Sequence, residues 1–124
     1  MVYTVNAVTQ KKILVVDDNE IYTQTVQQHL EKDGHIVACC YKGSDALTIS
    51  KEIAFDFIFT DFRMPEMSGD VVCRLLREQN PSVFIVGFSI ENRQRDFLDA
   101  GADAFILKEE FFKDLDGILL KGRS

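Results

Sequence analysis

The 124 residues carry 46% hydrophobic and 27% charged side chains, a balance that suits one soluble domain with its own core and leaves no room for a second. A formal charge of -6 argues against direct nucleic-acid binding, which draws its affinity from Lys and Arg on phosphates, and favours an electropositive partner surface. No run reaches the ~20 apolar residues of a membrane span, residues 1–10 lack the basic start and apolar core of a secretory signal, and the cysteines show no metal-ligand spacing. A reduced, cytoplasmic protein with buried cysteines is expected.

Residues 1–10 read as an N-terminal leader and 11–124 as the folded domain. Strand-like and helix-like patterns then alternate. Ile13 to Val16 forms a strand that stops at Asp17-Asp18, and Asn19 caps a helix in which Tyr22, Val26 and Leu30 recur every fourth residue before Gly34. A second strand, Ile36 to Tyr41, leads to Ser44, the expected cap of a helix carrying Ala46, Leu47 and Ile53. Adjacent Cys39 and Cys40 point to opposite faces of that strand. The third strand, Asp56 to Thr60, runs into a loop, Asp61 to Met67, and Ser68 is the expected cap of a helix striped by Val71, Val72, Leu75 and Leu76 and closed by Asn80-Pro81. Val83 to Phe88 is the fourth strand, stopping at Ser89. The next helix, Glu91 to Ala100, offers mainly Phe97 and Leu98 as apolar anchors and is expected to pack least firmly. Ala104 to Leu107 is the fifth strand, stopping at Lys108, and a final helix from about Glu110 buries Phe111, Leu115, Ile118 and Leu119 with Leu120 on its far side.

Five such units with right-handed crossovers predict a flavodoxin-like α/β fold, a doubly wound (βα)5 three-layer sandwich with a parallel sheet in the order 2-1-3-4-5. Parallel strands end at one edge, so Asp17, Asp18, Asp61, Ser89 and Lys108 converge there. Carboxylates ~4 Å apart repel by about 4 kcal/mol per pair at an effective dielectric near 20, so a fully ionised cluster calls for a multivalent cation. Taken singly these residues have ordinary roles: Asp-Asp as a turn or helix cap, Ser89 as a cap, Lys108 as a solvated charge. Their convergence outweighs those readings. Neither His29 nor His35 is placed as a phosphodonor or ligand.

The motifs I-L-V-V-D-D-N at 13 to 19, D-F-R-M-P-x-M-x-G at 61 to 69, A-G-A-D at 100 to 103 and F-I-L-K at 105 to 108, with the strand ending at Ser89, resemble the response-regulator receiver family of two-component signalling over residues 12 to 122. The resemblance implies that Asp61 accepts a phosphoryl group, that Lys108 and Ser89 contact its oxygens, and that Mg²⁺ or Mn²⁺ binds through Asp18, Asp61 and the backbone carbonyl of Arg63, with Asp17 acting largely through water. It implies a switch in which Ser89 moves and Phe105 turns inward, altering the surface of the fourth helix, fifth strand and fifth helix. It also places Arg63 and Glu91 beside the path of hydrolytic water. The partners implied are a sensor histidine kinase or histidine phosphotransfer protein and a downstream protein or output domain, with a phosphorylation-dependent homodimer as an option and no membrane. Such a protein is a signalling switch that catalyses only its own phosphorylation and dephosphorylation.

The chain departs from the family pattern at Glu109, where proline is usual after the Lys, at Ile90, where a small residue is usual, and at Phe105, where Tyr is usual. The bulk of Ile90 is expected to hinder the switch. A flavodoxin-type FMN carrier is disfavoured because Asp17-Asp18-Asn19-Glu20 repels a phosphate, and a haloacid-dehalogenase-like phosphatase because its D-x-D arrangement after strand 1 is missing. A degenerate receiver acting as a phosphorylation-independent interaction module is the alternative. Both a stand-alone receiver acting by docking or phosphorelay and one domain of a larger regulator fit the sequence.

Overall fold

Strands buried on both faces have no polar side to show, which is why they read as near-continuous apolar runs. In the computed structural model, which describes residues 9–122, strands β1 (Lys12–Val16), β2 (Ile36–Cys40), β3 (Phe57–Asp61), β4 (Phe84–Ser89) and β5 (Ala104–Leu107) form one sheet in the order β2-β1-β3-β4-β5. Every neighbouring pair is parallel. Helices α1 (Glu20–Lys32), α2 (Gly43–Glu52), α3 (Gly69–Gln79), α4 (Gln94–Asp99) and α5 (Phe111–Lys121) complete the layers, with a 3₁₀ turn over Lys108–Glu110. The flavodoxin-like order is therefore as expected. Of the expected leader, residues 1–8 lie outside the described residues.

Alternation along the strands divides the core in two. Leu14, Val16, Ile58 and Ile85 face Val72, Leu76 and Phe97, while Ile13, Val15, Phe57, Phe59 and Phe88 face Val26, Leu30, Phe111 and Leu115. Each fully buried Leu, Ile or Phe contributes roughly 1.5–3 kcal/mol. Phe111 adds edge-to-face contacts to Phe59 and Phe88 with ring centroids 5.6 and 5.5 Å away. Cys39 packs on the second cluster and Cys40 within the first, so they do point to opposite faces.

Helix starts depart from the sequence reading where tertiary contacts replace caps. Asn19 caps α1 as expected, its side chain accepting the Tyr22 N–H at 3.0 Å. Ser44 does not cap α2, which begins at Gly43 with Lys42 in the cap position and no side-chain bond. Gly43 presses against Val72 and Met67, and that packing fixes the helix start. Ser68 occupies the α3 cap position, but its hydroxyl bonds the Asp70 carboxylate at 2.5 Å and not the backbone. The buried stripe of α3 is Val72, Cys73 and Leu76, with Val71 and Leu75 only half-buried. Ile53 lies just past the end of α2 and is exposed.

The fourth helix is shorter than expected because the chain turns twice before entering it. The Ser89 hydroxyl accepts the Glu91 N–H at 3.3 Å and the Asn92 side chain accepts the Gln94 N–H at 3.0 Å, local turns that compete with helix. Only Phe97 anchors α4, its ring lying directly on Gly87 where any Cβ would collide. Leu98, expected as a second anchor, is exposed. Weak anchoring of this helix thus follows from a single buried side chain.

Candidate functional site

Asp61 ends β3 beside Phe88 of β4, and Ser89 ends β4 beside Leu107, so both lie at one edge of the sheet. Asp17 and Asp18 follow β1 at the same edge. The three aspartates each present a carboxylate oxygen within 4.8 Å of the others, with Asp17 and Asp61 buried and Asp18 exposed. Lys108 reaches between them, its Nζ 2.7 Å from Asp17 Oδ2 and 3.3 Å from Asp61 Oδ1. Asp17 also accepts the Asn19 N–H at 3.0 Å, which fixes its orientation. These groups, with Ser89, Ile90 and Glu91 at the rim, line an open cavity of about 450 Å³.

Burial pushes the Asp61 carboxyl up to about 7, with the Asp17 charge adding to the rise and Lys108 opposing it. One cation is thus too few for this cluster. The donor set is all oxygen, three carboxylates around an open cavity, which fits a hard divalent ion such as Mg²⁺.

Sequence reasoning placed Tyr22 only as core, but its ring lies under Lys108, with Nζ 4.7 Å from the centroid, and Phe88 lies at 5.4 Å from the same atom. Burial first, then Asp17 and Asp61, drives the Tyr22 hydroxyl far above its ordinary pKa, so it stays protonated. The aromatic pair holds the ammonium by cation–π attraction. Tyr22 stands five residues after Asp17 on the helix that leaves the acidic turn, and that spacing was the available signal.

Arg63 and Glu91 meet across the mouth of the cavity, with Arg63 Nη2 and Glu91 Oε1 2.5 Å apart. Hydrogen bonding from Arg63 keeps the Glu91 carboxyl below its usual pKa. Ile90 is 81% exposed, so its side chain stands in solvent at the rim and does not crowd the core. Phe105 is half-buried and stacked on Phe97, with centroids 5.8 Å apart. His29, Asp33 and Asp116 form a second cluster with ligand atoms within 4.8 Å, but both carboxylates are exposed, and exposed acidic groups gather this way without an ion. The His35 imidazole is buried and accepts the Lys11 N–H at 3.0 Å.

A parallel 2-1-3-4-5 sheet with a lysine-bridged aspartate cluster at its carboxyl edge is the arrangement expected of a receiver domain, and the comparisons agree on that class. Residues 13–119 match the family described as the response regulator receiver domain, and the chain belongs to it. The transcriptional regulatory protein ZraR of Salmonella typhimurium is 35% identical over 112 residues, covering 88% of this chain but only 25% of that protein. This chain therefore spans about a quarter of that relative's length. Among solved structures, the chemotaxis response regulator CheY4 of Vibrio cholerae is 27% identical with a TM-score of 0.81, covering 89% of this chain and 99% of that one. The regulator TrrA of Thermotoga maritima, in complex with Mg(2+)-BeF, shares the fold with a TM-score of 0.84 at 24% identity, over 91% of this chain and 99% of that one. Receiver domains are signalling switches of two-component systems, and this chain is one of them.

Proposed function

We propose that this receiver accepts a phosphoryl group on Asp61 from a kinase or phosphotransfer histidine in the cytoplasm, and that the modified form is read by a protein partner, an output domain or a second copy. The observation that carries this is the position of Lys108 Nζ between Asp17 and Asp61 at 2.7 and 3.3 Å, with Asp18 in the same cluster. An ammonium and a buried nucleophilic carboxylate at one cavity are what transfer of a phosphoryl group to a carboxylate requires. An Asp61 oxygen attacks phosphorus, the P–O bond forms as the P–N bond breaks, and the electron pair leaves with the imidazole. Lys108, steadied by Tyr22 and Phe88, meets the charge on an equatorial oxygen. Ser89 accepts a backbone N–H through its oxygen, which leaves its own proton to donate to another.

Asp17, Asp18, Asp61 and the backbone carbonyl of Arg63 are the groups assigned to hold Mg²⁺ or Mn²⁺. When bound, the ion supplies charge neutralisation for the phosphoryl oxygens. Asp18→Ala is expected to abolish Mg²⁺ binding more completely than Asp17→Ala, because buried Asp17 is already engaged by Lys108 and Asn19. Titration of Mg²⁺ monitored by NMR checks the order, and equal losses would remove the distinction. Output follows as a population shift in which Ser89 is drawn to the phosphoryl group and Phe105, here stacked on Phe97, turns further inward, with Ile90 carried on the moving loop. With Ile90 exposed, steric hindrance by its side chain has no packed neighbour to act on. The deciding experiment is intact mass after incubation with acetyl phosphate and Mg²⁺: one added phosphoryl group on the wild type and none on Asp61→Ala. Equal labelling of the two removes the assignment, and no labelling of either favours an interaction module independent of phosphorylation.

Lifetime is the second property the cavity mouth sets. Arg63 and Glu91 pair over the open side of Asp61, where an attacking water must enter. Arg63→Ala or Glu91→Ala is expected to speed autodephosphorylation severalfold, and the double variant to add little. Phosphate release from the charged proteins measures this, and additive or slower decay counts against the bridge.

A further inference from the structure

Two loops frame the cavity mouth, one after Asp61 and one after Ser89, and a second contact joins them beside the Arg63 and Glu91 pair. Arg93, the residue before α4, lays its guanidinium over the Phe62 ring with 4.3 Å from Cζ to the centroid. Phe62 directly follows Asp61. The same guanidinium pairs with Glu91 Oε1 at 3.3 Å and with Asp96 Oδ2 at 3.4 Å. The ring and the two carboxylates therefore hold the group where it lies, while its buried Nε has no hydrogen-bond partner.

Glu91 Oε1 is thus held by two guanidinium groups of different character. Arg63 is the outer one, its side chain 68% exposed, and Arg93 is the inner one at 29%. An isolated exposed ion pair is short-lived because two long side chains must be held in one geometry, and a network with an anchored member escapes that cost. A planar guanidinium stacked on an aromatic ring is such an anchor, since little rotamer freedom remains for it to lose.

The geometry points to Arg93 as a positioning residue for the aspartyl phosphate's lifetime: stacked on Phe62 and braced by Asp96, it holds Glu91 where Arg63 closes on it across the cavity. This rests on the reading that the Arg63 and Glu91 pair obstructs hydrolytic water. It also joins α4 to hydrolysis, because Asp96 in the first turn of that helix is part of the brace.

The test is phosphate release from acetyl-phosphate-charged wild type, Arg63→Ala, Glu91→Ala, Arg93→Ala, Arg93→Lys and the Glu91→Ala/Arg93→Ala double. Arg93→Ala is expected to shorten the lifetime about threefold, a small part of the range open to barrier changes. The same change is expected to have no effect in the Glu91→Ala background. Arg93→Lys keeps the charge but not the planar stack and is expected to fall between wild type and Arg93→Ala. A general loss of packing would act in both backgrounds, so the dependence on Glu91 separates positioning from structure. Wild-type decay in Arg93→Ala with fast decay in Glu91→Ala overturns the role of Arg93 and leaves the bridge standing, as does an additive double variant. Wild-type decay in both Glu91→Ala and Arg63→Ala overturns the bridge itself. If Arg93→Ala fails to fold, Arg93→Lys carries the comparison, and a wild-type lifetime there is the negative result.

Discussion

Asp61→Asn is expected to abolish phosphorylation completely and, in the absence of divalent ions, to make the fold more stable at neutral pH. The first effect follows from removing the proposed nucleophile. The second follows from the raised pKa of Asp61, about 7 against 3.8 for the free group, caused chiefly by burial and then by Asp17. A carboxyl that holds its proton more tightly when folded favours the folded state at pH values below its unfolded pKa. That advantage declines as pH rises from about 4 to about 7 and is absent above, where the buried charge must be borne. The full rise would be worth ~4 kcal/mol, and solvent at the open mouth and the nearby Lys108 reduce the expected gain for Asn to roughly 1–3 kcal/mol. Urea unfolding in EDTA at pH 5 and pH 8 reads this directly, with a larger wild-type deficit at pH 8. Added Mg²⁺ is expected to raise the wild type by mass action and Asp61→Asn much less. A variant less stable than wild type at pH 8 without metal would show that the cluster is not under charge strain.

What the sequence made legible was whatever depends on period and chain order. Strand ends at Val16 and Leu107 follow from apolar runs meeting charge at Asp17 and Lys108, and the parallel order then forces Asp17, Asp61, Ser89 and Lys108 to one edge without knowledge of any side-chain contact. Arg63 and Glu91 were placed near the cavity by the resemblance to the receiver family and not by any pattern of their own, and they do meet. Arg93 and Tyr22 were not legible as site residues. A guanidinium over a ring and an ammonium over a ring depend on how two loops or a loop and a helix are packed, and only Tyr22, five residues after Asp17, had even a weak spacing signal. Ser44 and Leu98 were misread for a related reason: local rules assign a cap to any well-placed Ser and a core position to any Leu at helical period. At Gly43 and Gly87 close packing overrides both, since the missing side chain lets Val72 and Phe97 approach and determines where α2 starts and which face of α4 is buried.

The same kind of close approach makes Gly69→Ala the most damaging small substitution expected in the molecule. Gly69 opens α3, and its N–H donates to the Phe62 carbonyl at 2.7 Å, which draws the helix start against the loop that follows Asp61. A Cβ there would collide with the backbone carbonyl of Asp61 and the Cα of Phe62. Backbone atoms of a buried strand end cannot swing aside as a side-chain tip does, so either α3 lifts or β3 shifts. Overpacking of this kind costs typically 1–3 kcal/mol and occasionally more, and the rigid neighbour places Gly69→Ala at about 3 kcal/mol or above. Gly117→Ala is the matched control, because that glycine lies in the exposed face of α5 with nothing near its missing Cβ. There the change is expected to stabilise by ~0.5–1 kcal/mol through helix propensity alone. Urea midpoints of the two variants should therefore move in opposite directions. Whatever fraction of Gly69→Ala remains folded is expected to phosphorylate more slowly than wild type, because relief of the collision displaces Asp61 itself. A folded Gly69→Ala with wild-type stability and labelling would mean that the approach of α3 to Asp61 is not what fixes that carboxylate in place.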